Sequence, residues 1–187
     1  MIMRILLFIV AVSFSCIANS QELFPLLDPQ PECTVYGKAV DFHTAPSSVF
    51  AKGGLLLAFA WNNGKGETSV YVDNINFFSP KVTNEWREFI LYHECGHHVL
   101  GHVAKTRNAS YQGDKRNWEL KADCYAIKRL KDDGYTQTQL NTVLRQASDM
   151  NLVASLSPLA RFGPITIDKA EFDKRNKNLK QCIGNIK

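Results

Sequence analysis

The sequence predicts an α+β fold in which a small, mainly antiparallel sheet is followed by a helical half. Residues 34–78 are rich in β-branched and aromatic residues and are divided by turn material, whereas from about residue 83 the apolar residues recur at helical spacing. A length of 187 residues, with 45% hydrophobic and 21% charged residues, excludes a disordered or fibrous chain. We therefore expect a single globular domain.

The first 20 residues predict a secretory signal peptide. A basic start at 1–4 and an apolar run at 5–14 precede Ala18 and Ser20, the small residues expected before a cut ahead of residue 21. The apolar run is too short to span a bilayer, and no later stretch reaches the roughly 18–20 apolar residues of a membrane helix. We expect a mature chain of residues 21–187 that is exported, periplasmic or secreted, without a membrane span.

Export would place the cysteines of the mature chain in an oxidising compartment. They are Cys33, Cys95, Cys124 and Cys182. Without a CxxC motif, neither a zinc ribbon nor a thioredoxin-like redox pair is predicted. We expect a bond between Cys33 and Cys182, because the longest closed loop gives the largest entropic stabilisation. An alternative for the N-terminus makes Cys16 a lipid-attachment site, although Ser13 stands where a lipoprotein signal has Leu.

The strands follow a lead-in at residues 23–32, where three prolines favour an extended chain. Turn residues at Gly53-Gly54 and at 62–66 then separate segments of strand composition. The predicted strands are 34–36, 40–42, 55–61 and 68–78.

Four helices are predicted after Pro80. Thr83 or Asn84 is the expected N-cap of the first, and Thr136 with Gln139 forms a capping box that opens the third. The first helix runs to about 103, and a polar loop at 105–115 follows. The second is expected at 117–132 and the fourth at about 168–181.

His93, Glu94 and His97 form an HExxH pattern in the first predicted helix. Four residues make about one helical turn, so the two imidazoles lie within roughly 40° of each other and can share one metal ion. Glu94 projects about 80° from that direction and can reach a water molecule beside the metal without being a ligand. Imidazole pairs suit Zn²⁺, and a catalytic zinc site needs a third protein ligand and an open position.

Glu119 and Asp123 open the second predicted helix, again one turn apart. Glu119 would complete a His₂Glu site, and Asp123 is placed to accept the spare ring N–H of a ligating histidine. The structural alternative is a pair of surface acids in the first turn of a helix, where the macrodipole favours them. The two motifs together favour a zinc site.

The sequences HECGH at 93–97 and ELKAD at 119–123 resemble the HExGH and ExxAD pair of the gluzincin metallopeptidases, most closely the M48-like group. The segment 48–54 before Leu55 also resembles that group's approach to its sheet strand. The resemblance covers about residues 48–126.

The resemblance implies a zinc endopeptidase. Its site residues would be the ligands His93, His97 and Glu119, the general base Glu94, and Asp123 behind the ligands. The chain departs from the membrane members of the group because it has no predicted span after residue 20. It also has Ser157-Pro158 where many relatives have His-Pro. The residue that would stabilise the transition state stays open among Tyr111, Tyr125 and Arg161.

Other histidines and cysteines point away from the predicted metal. On a continuous helix, His98 and His102 lie about 120° and 160° from the metal direction, which favours packing or rim roles. His43, in strand sequence, is interpreted as structural. Cys95 and Cys124 also face away from the metal and from each other, so we expect buried free thiols with no bond between them.

These observations predict an exported zinc-dependent metallopeptidase that acts on peptide or protein substrates. A sheet edge among the strands at 55–78 would hold the substrate as an added strand. The 22 basic residues exceed the 18 acidic residues by too few to predict a nucleic-acid partner. Two alternatives stay open. One is a non-catalytic exported binding protein with a structural zinc or none, although such a protein would need no base such as Glu94 beside the metal. The other is a zinc hydrolase of non-peptide amides.

Overall fold

A computed structural model describes residues 26–50, 57–106, 115–149 and 169–185. Within these ranges the protein is a mixed α+β structure, as the sequence predicts, and all of its helices except the short one at Ser47–Phe50 follow the strands. The strands are β1 (Thr34–Val35), β2 (Lys38–Ala39), β3 (Asp41–Ala45), β4 (Ala58–Asn62) and β5 (Thr68–Asp73). The helices are α1 (Ser47–Phe50), α2 (Asn84–Val99), α3 (His102–Thr106), α4 (Lys115–Asp132), α5 (Gln137–Ala147) and α6 (Lys169–Asn185). The predicted signal peptide lies outside the described residues.

The sheet is mixed in direction. β1 and β2 form an antiparallel hairpin, and a separate three-stranded sheet has the order β3-β5-β4. β4 pairs antiparallel with β5, but β3 pairs parallel with β5. The expectation of a mainly antiparallel sheet therefore misses the parallel pair. A residue pattern reports which side chains are buried, and it does not report the direction of the neighbouring strand.

β5 ends at Asp73, five residues before the predicted end at 78. The side chain of Asp73 is fully buried and accepts hydrogen bonds from the backbone N–H groups of Ile75 and Asn76, both at 2.9 Å. The hydroxyl of Ser47 donates to the same carboxylate at 2.7 Å. Because Asp73 binds the backbone that follows it, the chain turns there instead of continuing as a strand.

The helix termini follow the capping residues. Thr83 is the N-cap of α2, and Thr136 with Gln139 forms the predicted capping box of α5. α2 ends at Val99, earlier than expected, because Gly101 has a φ of +71° and interrupts the helix. A short helix, α3, begins immediately after it, and this break changes the direction of His102.

The core forms between the sheet and the helices, with α2 at its centre. Phe42, Val70 and Val72 are fully buried and belong to the same cluster as Phe89 of α2 and Ile127 of α4. α2 contacts β4, β5, α4 and α5, so its position is fixed from several sides. No helix among the described residues is both long enough and apolar enough to cross a membrane.

Two disulfides join Cys33 to Cys95 and Cys124 to Cys182, with Cα separations of 5.9 and 5.2 Å. The predicted bond between Cys33 and Cys182 is therefore wrong. The expectation that Cys95 on α2 and Cys124 on α4 are free thiols is wrong as well. The prediction that Cys95 and Cys124 are not bonded to each other is confirmed. Cys95 and Cys124 have different neighbours, because β1 packs on α2 whereas α6 packs on α4.

Candidate metal centre

The histidines of the HExxH pattern lie side by side on α2. The Nε2 atoms of His93 and His97 are 3.1 Å apart, and both rings are largely withdrawn from solvent. His93 also lies beside the ring of Phe89, at a centroid distance of 6.0 Å. One helical turn therefore presents two imidazole nitrogens to the same point, as the spacing predicts.

Glu119 of α4 brings a carboxylate to the same point. Its Oε2 lies 3.2 Å from Nε2 of His93, and its Oε1 lies 3.3 Å from Nε2 of His97. Metal bonds of about 2.0–2.1 Å at tetrahedral angles place neighbouring ligand atoms about 3.3 Å apart. The side chain of Glu119 is 45% exposed, so the cluster opens to solvent on its side. The three residues together could hold a metal ion.

Gly96 allows α4 to approach α2 closely enough for this arrangement. A Cβ atom at Gly96 would lie only 3.0 Å from Cδ1 of Tyr125. Any larger residue would meet the Tyr125 side chain at closer than ordinary van der Waals distance, so that side chain would have to shift. The glycine inside the HExxH pattern therefore helps to set the distance between the histidines and Glu119.

Asp123 lies behind His93. Its Oδ1 is 2.9 Å from Nδ1 of His93, so this carboxylate meets the nitrogen that faces away from Glu119. The carboxylate is fully buried and is held by Arg175 of α6, whose Nε and Nη2 donate hydrogen bonds of 2.9 and 2.7 Å. A buried carboxylate with two such contacts has little freedom to move, and it fixes the orientation of the His93 ring.

Arg175 was not predicted from the sequence as a site residue, and Arg161, the arginine considered for stabilising the transition state, lies outside the described residues. A signal was present in α6. Arg175, Asn178, Leu179 and Cys182 recur at helical spacing, and this is the face that meets α4. Asn178 donates to the backbone oxygen of Leu120 at 3.0 Å, and Cys182 forms the disulfide.

The charges of the site stabilise one another. Burial lowers the pKa of His93, but hydrogen bonds to Asp123 and Glu119 outweigh burial and raise it to about 9. Burial raises the pKa of Glu119, yet the two histidines leave it well below its ordinary value. Burial likewise opposes ionisation of Asp123, and the charge of Arg175 is the main reason that the pKa of Asp123 is lowered. Both acids are thus held as carboxylates, the form that binds cations.

The outer nitrogen of His97 meets a different partner. Its Nδ1 lies 3.0 Å from Nδ1 of His102, whose ring stacks on Trp118 at 5.0 Å and 6°. An unbroken helix would point His102 away from His97, but Gly101 breaks the helix and brings the two rings together. His102 lies outside the group that could hold a metal and packs on Trp118, as its predicted packing role requires. The packing role predicted for His98 is confirmed, since this buried ring donates to the backbone oxygen of Ser69 at 2.9 Å.

The remaining residues singled out from the sequence are Glu94, Tyr111, Tyr125 and His43. Glu94 is buried beside His93, and its charge helps to raise the pKa of Arg175 against the lowering effect of burial. The hydroxyl of Tyr125 lies 3.6 Å from Sγ of Cys95, and Tyr111 lies outside the described residues. His43 is buried and stacks on Tyr71, as its structural interpretation requires.

Comparisons with known proteins add no relative. No protein-family profile, curated protein or solved structure matches this chain. The candidate metal centre of two histidines and one glutamate is therefore the observation on which a function has to be based.

Proposed function

We propose that the protein is a zinc-dependent metallopeptidase of the gluzincin type, similar to the M48-like group. One observation carries the proposal: three residues on two helices approach one another pairwise through ring nitrogens and carboxylate oxygens at 3.1–3.3 Å, with a buried carboxylate behind the first histidine. His93, His97 and Glu119 would hold the metal. Two imidazoles and one carboxylate are a donor set found in catalytic zinc sites.

Zinc at this position would polarise the carbonyl of the scissile bond and lower the pKa of a water molecule at the open position. Glu94 would accept the proton of that water and pass it to the leaving amine. Asp123 and Arg175 hold the ring of His93 in place. His98 holds α2 against β5 through its hydrogen bond to Ser69, which fixes the distance between the metal-binding helix and the sheet.

The substrate would bind as an added strand along β4. The outer edge of β3 is occupied, because Leu27 donates to the backbone oxygen of Phe42 and Gln30 bonds both polar backbone atoms of Phe42. Within the described ranges, β4 has only β5 as a strand partner, and it contacts α2 and α3. An extended peptide on this edge would run close to the candidate metal centre, with its backbone supplying much of the affinity.

The decisive experiment is the substitution Glu94→Gln in the full oxidised chain. Glutamine is almost the same shape but cannot accept the proton, so we expect one zinc per chain and a loss of peptide cleavage of about 10²–10⁴-fold. Zinc content and digestion of a peptide library are measured on the same samples. Glu85→Gln makes the same change in the first turn of α2 and should leave both unchanged.

Two outcomes contradict the proposal. A wild-type protein that binds one zinc and cleaves no peptide would be a binding protein or a hydrolase of non-peptide amides, and a Glu94→Gln variant with full activity would use another base.

A further inference from the structure

His102 is a buried histidine that the proposed reaction does not use. It is 3% exposed and lies against His97 on one side and Trp118 on the other. We infer that His102 is a positioning residue: its Nδ1 accepts a hydrogen bond from Nδ1 of His97 and thereby selects the His97 tautomer whose Nε2 can bind a metal. This inference rests on the proposed metal centre and deepens it.

The hydrogen bond has only one direction that is compatible with metal binding. A neutral imidazole carries one proton, and a ligating nitrogen must offer a lone pair. Nε2 of His97 faces His93 and Glu119 at 3.1 and 3.3 Å, so it is the ligating atom. Nδ1 of His97 then carries the proton and donates to Nδ1 of His102 over 3.0 Å. His102 must hold its own proton on Nε2.

Two features place His102 where it can accept. Gly101 has a left-handed φ of +71°, and the chain restarts as α3 at His102. On an unbroken helix, the fifth residue after His97 would point about 140° away from it. The parallel stack with Trp118 then fixes the plane of the ring, at a centroid distance of 5.0 Å. Trp118 directly precedes Glu119, so the same stack ties the support of His97 to the helix that carries the third ligand.

The geometry separates positioning from ligation. His102 approaches the Nδ1 side of His97, which is the side turned away from Glu119, and it does not belong to the cluster that could hold a metal. Its effect on a metal must therefore pass through His97.

Two substitutions separate the acceptor from the stacked ring. His102→Phe keeps a flat ring to stack on Trp118 and cannot accept, whereas His102→Asn loses much of the stack but puts an amide oxygen near the position of Nδ1. The full oxidised chain is titrated with Zn²⁺ alone and with Co²⁺ alone against a chromogenic chelator. We expect His102→Phe to weaken binding about 10–100-fold, and His102→Asn to recover most of that loss. The Co²⁺ absorption spectrum should change in His102→Phe because the ligand orientation changes.

His43→Phe is the matched control. His43 is also a buried histidine stacked on an aromatic ring, Tyr71, but it lies in the sheet. Its substitution should leave metal affinity and the Co²⁺ spectrum unchanged. The tautomers are read directly from imidazole nitrogen–proton correlations of the zinc-bound wild type, where His97 should be protonated at Nδ1 and His102 at Nε2.

The outcomes distinguish this inference from the metal centre itself. Wild type that binds neither ion refutes the centre and the inference together. Wild type that binds while His102→Phe binds equally well refutes the inference alone, as do equal losses in the Phe and Asn variants. If the Phe variant does not fold, the wild-type tautomers decide, and a proton on Nδ1 of His102 overturns the assignment.

Discussion

His93 and His97 occupy equivalent places on one face of α2, but their outer nitrogens meet different partners. His93 meets a fully buried carboxylate, Asp123, which is itself bonded twice by Arg175. His97 meets a second imidazole, which is stacked on an indole. Behind His93 a chain of charged groups reaches α6, whereas behind His97 the ring of His102 stacks on Trp118 of α4. The comparison shows that one ligand's orientation depends strongly on long-range packing and the other's on a local break in the helix.

The largest effect on stability is expected when Arg175, which holds Asp123 behind His93, is replaced. Arg175→Met removes both donors and leaves the fully buried carboxylate of Asp123 with His93 as its remaining partner in this network. Leaving a buried charge uncompensated costs about 3–5 kcal/mol, so we expect the free energy of unfolding to fall by that amount. Urea unfolding measures it. Lys174→Met, at the exposed neighbouring position, should change stability little, and an equal loss there would contradict the argument.

A smaller effect on stability is expected when Asp123, the acid between Arg175 and His93, is replaced. Asp123→Ala leaves Arg175 without this partner, but the guanidinium side chain is 41% exposed and can reach water. We expect the free energy of unfolding in urea to fall by about 2 kcal/mol. The double variant, with Asp123→Ala and Arg175→Met together, should be more stable than Arg175→Met alone. Asp132→Ala is the control, because this exposed acid on α4 pairs with Lys128 at the surface and is worth under about 1 kcal/mol. A larger loss for Asp123→Ala than for Arg175→Met would reverse the comparison.

The smallest effect on stability is expected from Gly96→Ala, which changes the contact between α2 and α4. Both Asp123 and Trp118 lie on α4. Gly96→Ala places a methyl group about 3.0 Å from Cδ1 of Tyr125, so the Tyr125 side chain of α4 must give way by a few tenths of an ångström. Overpacking costs about 1–3 kcal/mol, and the better helix propensity of alanine returns up to about 1 kcal/mol. We expect a net loss of about 1 kcal/mol in urea unfolding. Gly184→Ala on α6, where an added Cβ meets nothing within 4 Å, should be neutral or stabilising. A stabilised Gly96→Ala would mean that the contact with Tyr125 yields without cost.

The parts of the site that depend on helical periodicity could be predicted from the sequence. His93 and His97 are related by one turn, as are Glu119 and Asp123, and the fold brings the two pairs together. The caps at Thr83 and Thr136 are equally local and were predicted.

The parts that depend on tertiary packing or on a single backbone angle could not be predicted in the same way. Arg175 reaches Asp123 only because α6 packs on α4. His102 turns toward His97 only because of the left-handed Gly101. The disulfide prediction failed because loop entropy describes the unfolded chain and does not say which cysteines the folded chain brings together.

The disulfide pattern has a consequence for how the chain can mature. Among the four cysteines that the structure describes, the first is joined to the second, Cys33 to Cys95, and the third to the fourth, Cys124 to Cys182, so neither bond has to wait for the other. A chain that enters an oxidising compartment with its N-terminus first can close the first bond before residue 124 arrives. An oxidant that joins these four cysteines in the order in which they emerge would therefore produce this pattern without a later exchange of bonds.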